Sequence, residues 1–281
     1  MRKESRMDVL IAGAGIGGLT LALQLHAAGI RCRVLEAAPR LDPLGVGINV
    51  LPHASRELHH LGLGPALDAC AVRTGEAVFY NRFGQLIYTE PLGTAAGYRW
   101  PQYSIHRGDL QRTLADAVRE RLGPDAILLD TRVSGFEQDD AGVTVRTAPA
   151  GTLRADVLVG CDGVHSTVRA RLYPDEGGPR YSGCTMWRGV TRWPAFLSGA
   201  SMVRVGWLTT GKMVIYPIRE LADGHQLVNW VAELETPERG DRDWLRGGAV
   251  ADMIEPFADW HFEWLDVPAL INAAEQVLEY P

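Results

Sequence analysis

The chain has 281 residues, 46% apolar and 22% charged, with 34 acidic against 28 basic side chains and a net charge of −6. That composition belongs to a globular chain long enough to bury a sizeable core in one large domain or two smaller ones. The negative balance speaks against nucleic acid as a partner, and no apolar run is continuous enough to span a membrane, so neither is expected.

The first element predicted is a strand at Val9–Ala12, a short apolar run suited to burial on both faces. Gly13, Ala14, Gly15, Ile16, Gly17 and Gly18 follow, with glycines at the spacing that wraps a dinucleotide pyrophosphate. Gly13 allows the tight turn, Gly15 leaves room for phosphate, and Gly18 lets the next helix pack closely on the sheet. That helix is largely apolar through Leu19, Leu21, Ala22, Leu23 and Leu25, and Gly29 ends it. Its start directs N–H groups and a positive dipole end at an anion. A second strand ends at Glu36, 18 positions after Gly18, where a carboxylate can accept hydrogen bonds from a ribose diol. Arg2, Lys3 and Arg6 before this apolar stretch imitate an export signal, but Asp8 and the glycines interrupt it.

Prolines and glycines make residues 37–50 a loop. Helices are predicted near Pro52–Leu61 and Gly64–Ala71, and a two-stranded unit over 75–89 turning at Arg82-Phe83-Gly84. Residues 103–122 read as a strand then a helix, and 127–147 and 153–161 as strands, with a hairpin turn at Asp139–Gly142. Residues 183–234 read as strands rich in Trp and Val. A helical region is predicted over 243–274, carrying Trp244, Leu245, Met253, Phe257, Trp260, Leu265 and Leu270. The coarse pattern is an α/β half followed by an antiparallel sheet with helices, which predicts two domains.

Cys32, Cys70, Cys161 and Cys184 are scattered without a Cys-x-x-Cys pair, which reads as reduced thiols in a cytoplasmic protein. Cys32 and Cys161 fall in predicted buried strands. His53, His59 and His60 lack a carboxylate to complete a ligand set, so no metal is expected.

Two further segments bear on the cofactor. Ser104–Gln111 places Arg107 where a strand runs into a helix, in reach of a bound anion. Val157–Arg169 is a strand, an Asp162-Gly163 turn, and a helix capped by Ser166 or Thr167. In this order after the glycine fingerprint, and over essentially the whole chain, they resemble the class A flavoprotein aromatic hydroxylases, the family with the para-hydroxybenzoate hydroxylase fold. Pro43–Asn49, Pro101–Gly108, Thr185–Thr191 and Leu227–Val231 strengthen the resemblance.

The resemblance implies an α/β fold in which an FAD/NAD(P)-binding Rossmann-like domain carries an inserted antiparallel-sheet plus helix substrate domain, with FAD as cofactor, NADH or NADPH as co-substrate, and O₂ as the source of one oxygen placed on a small aromatic or heteroaromatic ring. The ring would be phenazine-, salicylate- or hydroxynicotinate-like. It implies FAD contacts from Gly13 to Gly18, Glu36, Ala37, Gly47, Arg107, Asp162 and Gly163, with Gly45-Val46-Gly47 beside the flavin ring. Met186, Trp187, Arg188, Tyr216 and Trp230 are candidates for the substrate pocket, packing being the stronger expectation for the two tryptophans. Asn49 stands where some relatives carry a histidine base; it and Tyr216 are pocket candidates, and no catalytic residue is assigned. The expected division is an FAD domain over 1–72 and 99–178, a substrate domain over 73–98 and 179–275, and a return strand to the FAD domain at 276–281.

The family continues past the strand matching Gln276–Pro281 into a Gly-Asp-Ala-Ala-His loop. The Gly-Asp pairs here, Gly108-Asp109 and Gly240-Asp241, lack the right followers. A C-terminally shortened chain, binding FAD weakly and turning over poorly, is therefore implied. An NAD-dependent dehydrogenase, or a non-catalytic nucleotide-binding fragment or subunit, stay as alternatives.

Overall fold

The computed structural model describes residues 7–42, 45–149, 151–237 and 247–280. Arg2, Lys3, Arg6, Pro43, Leu44, Gly240, Asp241, Trp244, Leu245 and Pro281, named above, lie outside the described residues. The chain divides into two compact units, one of residues 1–43 with 108–179, the other of 44–107 with 180–281.

The first unit is built on a four-stranded sheet in the order Val157–Gly160, Asp8–Ala12, Arg31–Leu35, Ile127–Leu128. All its pairings are parallel. Parallel neighbours need a crossover, and helix Ile16–Ala27 supplies the one between the first two strands of the chain. Leu10, Ile11, Val34 and Leu35 are buried in this sheet, each worth about 1.5–3 kcal/mol of transfer from water. Gly29, with φ 74°, ends the helix as a left-handed cap; its N–H donates to the His26 carbonyl, and the Ile30 N–H to the Leu25 carbonyl. A three-stranded antiparallel sheet, Arg132–Asp139, Gly142–Ala148 and Thr152–Ala155, packs Val133, Phe136, Val143 and Val145 into the same core. Strand Val157–Gly160 is more exposed than a buried strand would be, because it forms the edge of its sheet. Cys161 lies one residue beyond it and is half-buried.

The second unit carries a seven-stranded sheet in the order Val277–Tyr280, Cys184–Pro194, His225–Glu235, Gly211–Glu220, Ser201–Trp207, Glu76–Tyr80, Leu86–Pro91. Only the Ser201–Trp207 and Glu76–Tyr80 pair is parallel among the described pairings of this sheet. One face buries Trp187, Trp230, Met213, Ile215, Phe257, Trp260 and Leu270. A second, three-stranded sheet joins Gly47–Val50, Gln102–His106 and Val72–Thr74. Thus the last four residues of the expected loop over 37–50 form a strand, pinned by pairing with Gln102–His106.

Two expectations differ from what is found. Residues 44–72 and 99–107 fall in the second unit, and Val277–Tyr280 pairs antiparallel with Cys184–Pro194 in its sheet rather than with the parallel sheet. The expected helical region breaks into turns at Val250–Asp252 and Glu255–Phe257, two-residue strands at His261–Phe262 and Leu265–Asp266, and helix Val267–Asn272. Pro256 and Pro268 each start a new turn, because proline has no N–H to continue the preceding one.

In the second unit Asp68 accepts from Arg73 Nε at 2.8 Å, Arg73 Nη2 at 2.7 Å and the Tyr103 hydroxyl at 2.7 Å. The Arg73 bonds hold its carboxyl below the usual range. A carboxyl depressed in the folded state stabilises fully above the ordinary carboxylate range, and this is lost as pH falls through its folded value. Asp68→Asn is therefore expected to melt lower at neutral pH and to lose less on acidification to about pH 3 than the parent, as thermal melts across pH would read.

Candidate functional site

The first unit holds a nucleotide cradle. Strand Asp8–Ala12 runs into Gly13, whose φ of 100° suits glycine and whose N–H donates to the Leu35 carbonyl at 2.7 Å. A Cβ on Gly13 would sit 2.4 Å from the Cys161 carbonyl oxygen, and one on Gly18 would sit 2.0 Å from the Gly13 carbonyl oxygen. Around Gly15 and Gly17 an added Cβ would meet nothing within 4 Å. Gly13 and Gly18 are thus closed by backbone, while Gly15 and Gly17 face open space. Helix Ile16–Ala27 begins there with no side chain capping its first N–H groups.

Glu36 ends the second strand with Oε2 accepting from Ala14 N at 2.7 Å and Oε1 from Ala38 N at 2.8 Å. Each oxygen keeps a lone pair for a ribose hydroxyl. Ala14 is held from its other side by Gln111, whose Nε2 donates to the Ala14 carbonyl at 2.8 Å. Gln111 lies on the same helix face as Arg107, one turn on at i+4, but nothing local in the sequence points to its bond with Ala14.

The Asp162-Gly163 turn is brought beside the glycine loop by the Cys161 N–H, which donates to the Ala12 carbonyl at 2.8 Å. Gly163 has φ 80°. Asp162 accepts from Ser166 Oγ at 2.5 Å, Thr167 N at 2.7 Å and Val168 N at 3.3 Å. Its carboxylate organises the start of helix Thr167–Leu172. Of the two expected caps, Ser166 is the one seen, accepting from Arg169 N at 2.9 Å. Ser166→Ala is expected to cost about 1 kcal/mol, readable as a lowered denaturation midpoint.

The second unit holds a cavity of about 690 Å³ lined by Gly45, Val46, Gly47, Ile48 and Asn49, with Arg107, Arg188, Tyr216, Gln276, Leu278 and Tyr280. Its floor is a pinned backbone. His106 Nε2 lies 3.0 Å from the Gly45 carbonyl, Arg107 N donates to the Val46 carbonyl at 2.9 Å, and Arg188 Nη2 to the Gly47 carbonyl at 2.7 Å. The Gly47 N–H donates to Asn229 Oδ1 at 2.6 Å. A Cβ on Gly47 would meet Asn229 Cβ at 2.7 Å and Ile218 Cγ2 at 2.8 Å, so only glycine fits.

Tyr216 is 3% exposed and lines the cavity together with Arg188. Burial raises its pKa, against the pull of Arg188, so it stays a neutral phenol at physiological pH. Arg188 carries an unpartnered buried Nε and lies 5.7 Å over the Tyr280 ring. Asn49 Oδ1 accepts from Ser104 Oγ at 2.7 Å, and Ser104 Oγ lies 2.7 Å from Thr74 Oγ1. Asn49 is therefore a fixed polar group on the wall, and no His, Asp or Glu lines the cavity among the described residues.

Of the expected pocket residues, Arg188 and Tyr216 line this cavity; Met186, Trp187 and Trp230 do not. Alternation along Cys184–Pro194 turns Trp187 into the core, on the opposite face from Met186 and Arg188. Trp230 is fully buried, and its Nε1 donates to Thr191 Oγ1 at 3.1 Å. Asn229, Gln276 and Tyr280 were not singled out. Asn229 stood in a strand-like run, where the partner of a buried amide is set by tertiary packing.

A glycine loop opening onto an uncapped helix start beside a carboxylate in the first unit, and an aromatic-sized cavity floored by glycines in the second, are features of a cofactor-dependent enzyme. Residues 6–242 match the FAD binding domain family. The chain is 44% identical over 293 residues to the phenazine 1,6-dicarboxylic acid hydroxylase PhzS of Lysobacter antibioticus, covering 100% of this chain and 72% of that protein. It is 35% identical over 281 residues to the 3-amino-4-hydroxybenzoate 2-monooxygenase PtmB3 of Streptomyces platensis, covering 97% of this chain and 67% of that protein. The solved structure of Klebsiella pneumoniae R204Q HpxO complexed with FAD superposes with a TM-score of 0.77 at 25% identity, over 97% of this chain and 68% of that one. The chain belongs to the FAD-dependent aromatic hydroxylases. These relatives lend no support to the dehydrogenase or the non-catalytic alternative. The open space before Gly15 and Gly17 and the uncapped helix start fit the pyrophosphate of FAD.

Proposed function

We propose that the chain hydroxylates a planar aromatic or heteroaromatic acid, with NADH or NADPH as reductant and O₂ as oxygen donor. Arg188 carries this reading: a half-buried guanidinium whose Nε is buried and unpartnered, in a cavity with no acidic side chain among its described lining residues. Such a group lowers its cost of burial by taking an anionic substituent. The named substrates of the relatives fit the same class, being a phenazine dicarboxylic acid and an aminohydroxybenzoate.

The first unit takes the ADP half of FAD: the loop Gly13–Gly18 with Ala14, Ile16 and Gly17 at the pyrophosphate, and Glu36 with Ala37 at the ribose. Asp162 and Gly163 buttress that loop. The second unit takes the ring of the substrate, with Gly47 and Arg107 on the flavin side. Bound flavin would supply the redox chemistry: with two electrons, as hydride, from NAD(P)H and one proton, one atom of O₂ goes to the ring as hydroxyl and the other leaves as water. The chain's own part is positional. Arg188 and Tyr216 fix the ring's anionic edge, and Val46, Ile48 and Leu278 give an apolar wall that limits water. With no lining base among the described residues, the substrate must arrive with an electron-rich ring.

No helix among the described residues is long and apolar enough to cross a membrane. Four free cysteines fit a cytoplasmic enzyme, and the net charge of −6 disfavours nucleic acid as a partner. The test is NAD(P)H oxidation by the FAD-loaded protein with an aromatic acid and with its methyl ester. The acid should stimulate and the ester should not; equal stimulation would remove Arg188 from the proposed role.

A further inference from the structure

A second cleft, of about 400 Å³, lies between the start of helix Pro52–His60 and the segment 92–102. It shares no lining residue with the cavity above. Its walls are apolar and aromatic, with Leu92, Tyr98 and Trp100. Trp100 is held in place by His59, ring centroids 5.2 Å apart, and by His60 edge-on at 5.3 Å. The Arg99 guanidinium lies 5.1 Å over the Trp100 ring. Among the described residues Arg99 pairs with no carboxylate, and no Asp or Glu lines the cleft.

At its base is Gln102. This side chain is 2% exposed, and its Nε2 has no hydrogen-bond partner. Its backbone is fixed in strand Gln102–His106 by pairing with Thr74. A buried amide donor left unpaired is costly, and a ligand acceptor would recover that cost. A ligand that satisfies all three features has a flat ring for Trp100 and Tyr98, a negative charge for Arg99, and an acceptor for Gln102.

We propose that this cleft is a second binding site for a planar aromatic carboxylate, distinct from the hydroxylation cavity. The compound class follows the function proposed above; the site itself does not depend on Arg188. A nicotinamide dinucleotide shares the ring and the negative charge, but the size of the cleft favours the smaller acid.

The test is calorimetric titration of the FAD-loaded protein with phenazine-1,6-dicarboxylate, in the parent and in Arg188→Leu. Two sites per chain are expected in the parent and one in Arg188→Leu. In the Arg188→Leu background, Arg99→Glu and Gln102→Leu should each weaken the remaining site at least tenfold. Arg99 is exposed, so its replacement tests the site even if Gln102→Leu fails to fold. No binding in the Arg188→Leu background, binding indifferent to Arg99→Glu, or loss of NADH binding alone in Arg99→Glu would each overturn the second site. A parent whose one remaining site responds to Arg99 but not Arg188 would instead overturn the role given to the cavity.

Discussion

Gly18→Ala is expected to cost more than any other single substitution in the nucleotide-binding unit. The new Cβ would lie 2.0 Å from the Gly13 carbonyl oxygen, and Gly13 cannot retreat because Cys161 backbone lies behind it. The neighbours are main chain, not flexible side-chain ends, so either the helix start or the glycine turn must move. Overpacking against yielding side chains costs about 1–3 kcal/mol, and a backbone obstacle puts this site at or above the top of that range. The variant should unfold at markedly lower denaturant and emerge without FAD. Gly15→Ala separates folding from binding. Its Cβ meets nothing within 4 Å, and the native φ of −70° suits alanine. The fold should hold while the methyl group occupies the space needed by the pyrophosphate. Near-parent melting with FAD affinity reduced at least tenfold is expected of Gly15→Ala. Equal affinity in Gly15→Ala and parent would move the phosphates elsewhere.

Arg188→Leu is expected to have the largest effect on substrate handling. Two interactions go at once. The first is the bond to the Gly47 carbonyl that helps pin the cavity floor; the second is the charge proposed to meet the substrate. A charge-assisted hydrogen bond contributes about 1.5–3 kcal/mol, or about 10- to 160-fold in kcat/KM for an acidic substrate. Loss of substrate binding alone raises KM; a displaced floor also lowers kcat and raises the share of NAD(P)H consumed without product. Tyr216→Phe, which keeps Arg188 and its contact with Gly47, should show the KM effect in milder form. An Arg188→Leu enzyme with parent KM for the acid would contradict the anchoring role.

The nucleotide cradle was legible because its determinants are local. Strand, turn, helix and second strand succeed one another within 30 residues, and Gly13 and Gly18 have tight neighbours inside or beside that unit. Arg188 and Tyr216 were legible as polar residues in apolar strands. Trp187 was not separable from them, since a strand sends neighbours to opposite faces and register alone decides which face is core. Gln111 and Asn229 act on partners 97 and 182 residues away, a distance over which no spacing rule operates. The region after residue 247 misled through its composition: its apolar residues do form core, but Pro256 and Pro268 cut it into short turns. Residues 44–72 joined the second unit because Gly47–Val50 pairs with Gln102–His106, a long-range ladder with no local signature.

The most direct measurement is isotopic. The FAD-loaded protein is given NADH or NADPH, an aromatic acid of the relatives' class, and ¹⁸O₂, and the aromatic product is weighed by mass spectrometry. Expected is a hydroxylated acid carrying one ¹⁸O atom from the gas. NAD(P)H oxidation that ends wholly in hydrogen peroxide with every such acid, or a hydroxyl oxygen drawn from water, would contradict aromatic hydroxylation by this chain.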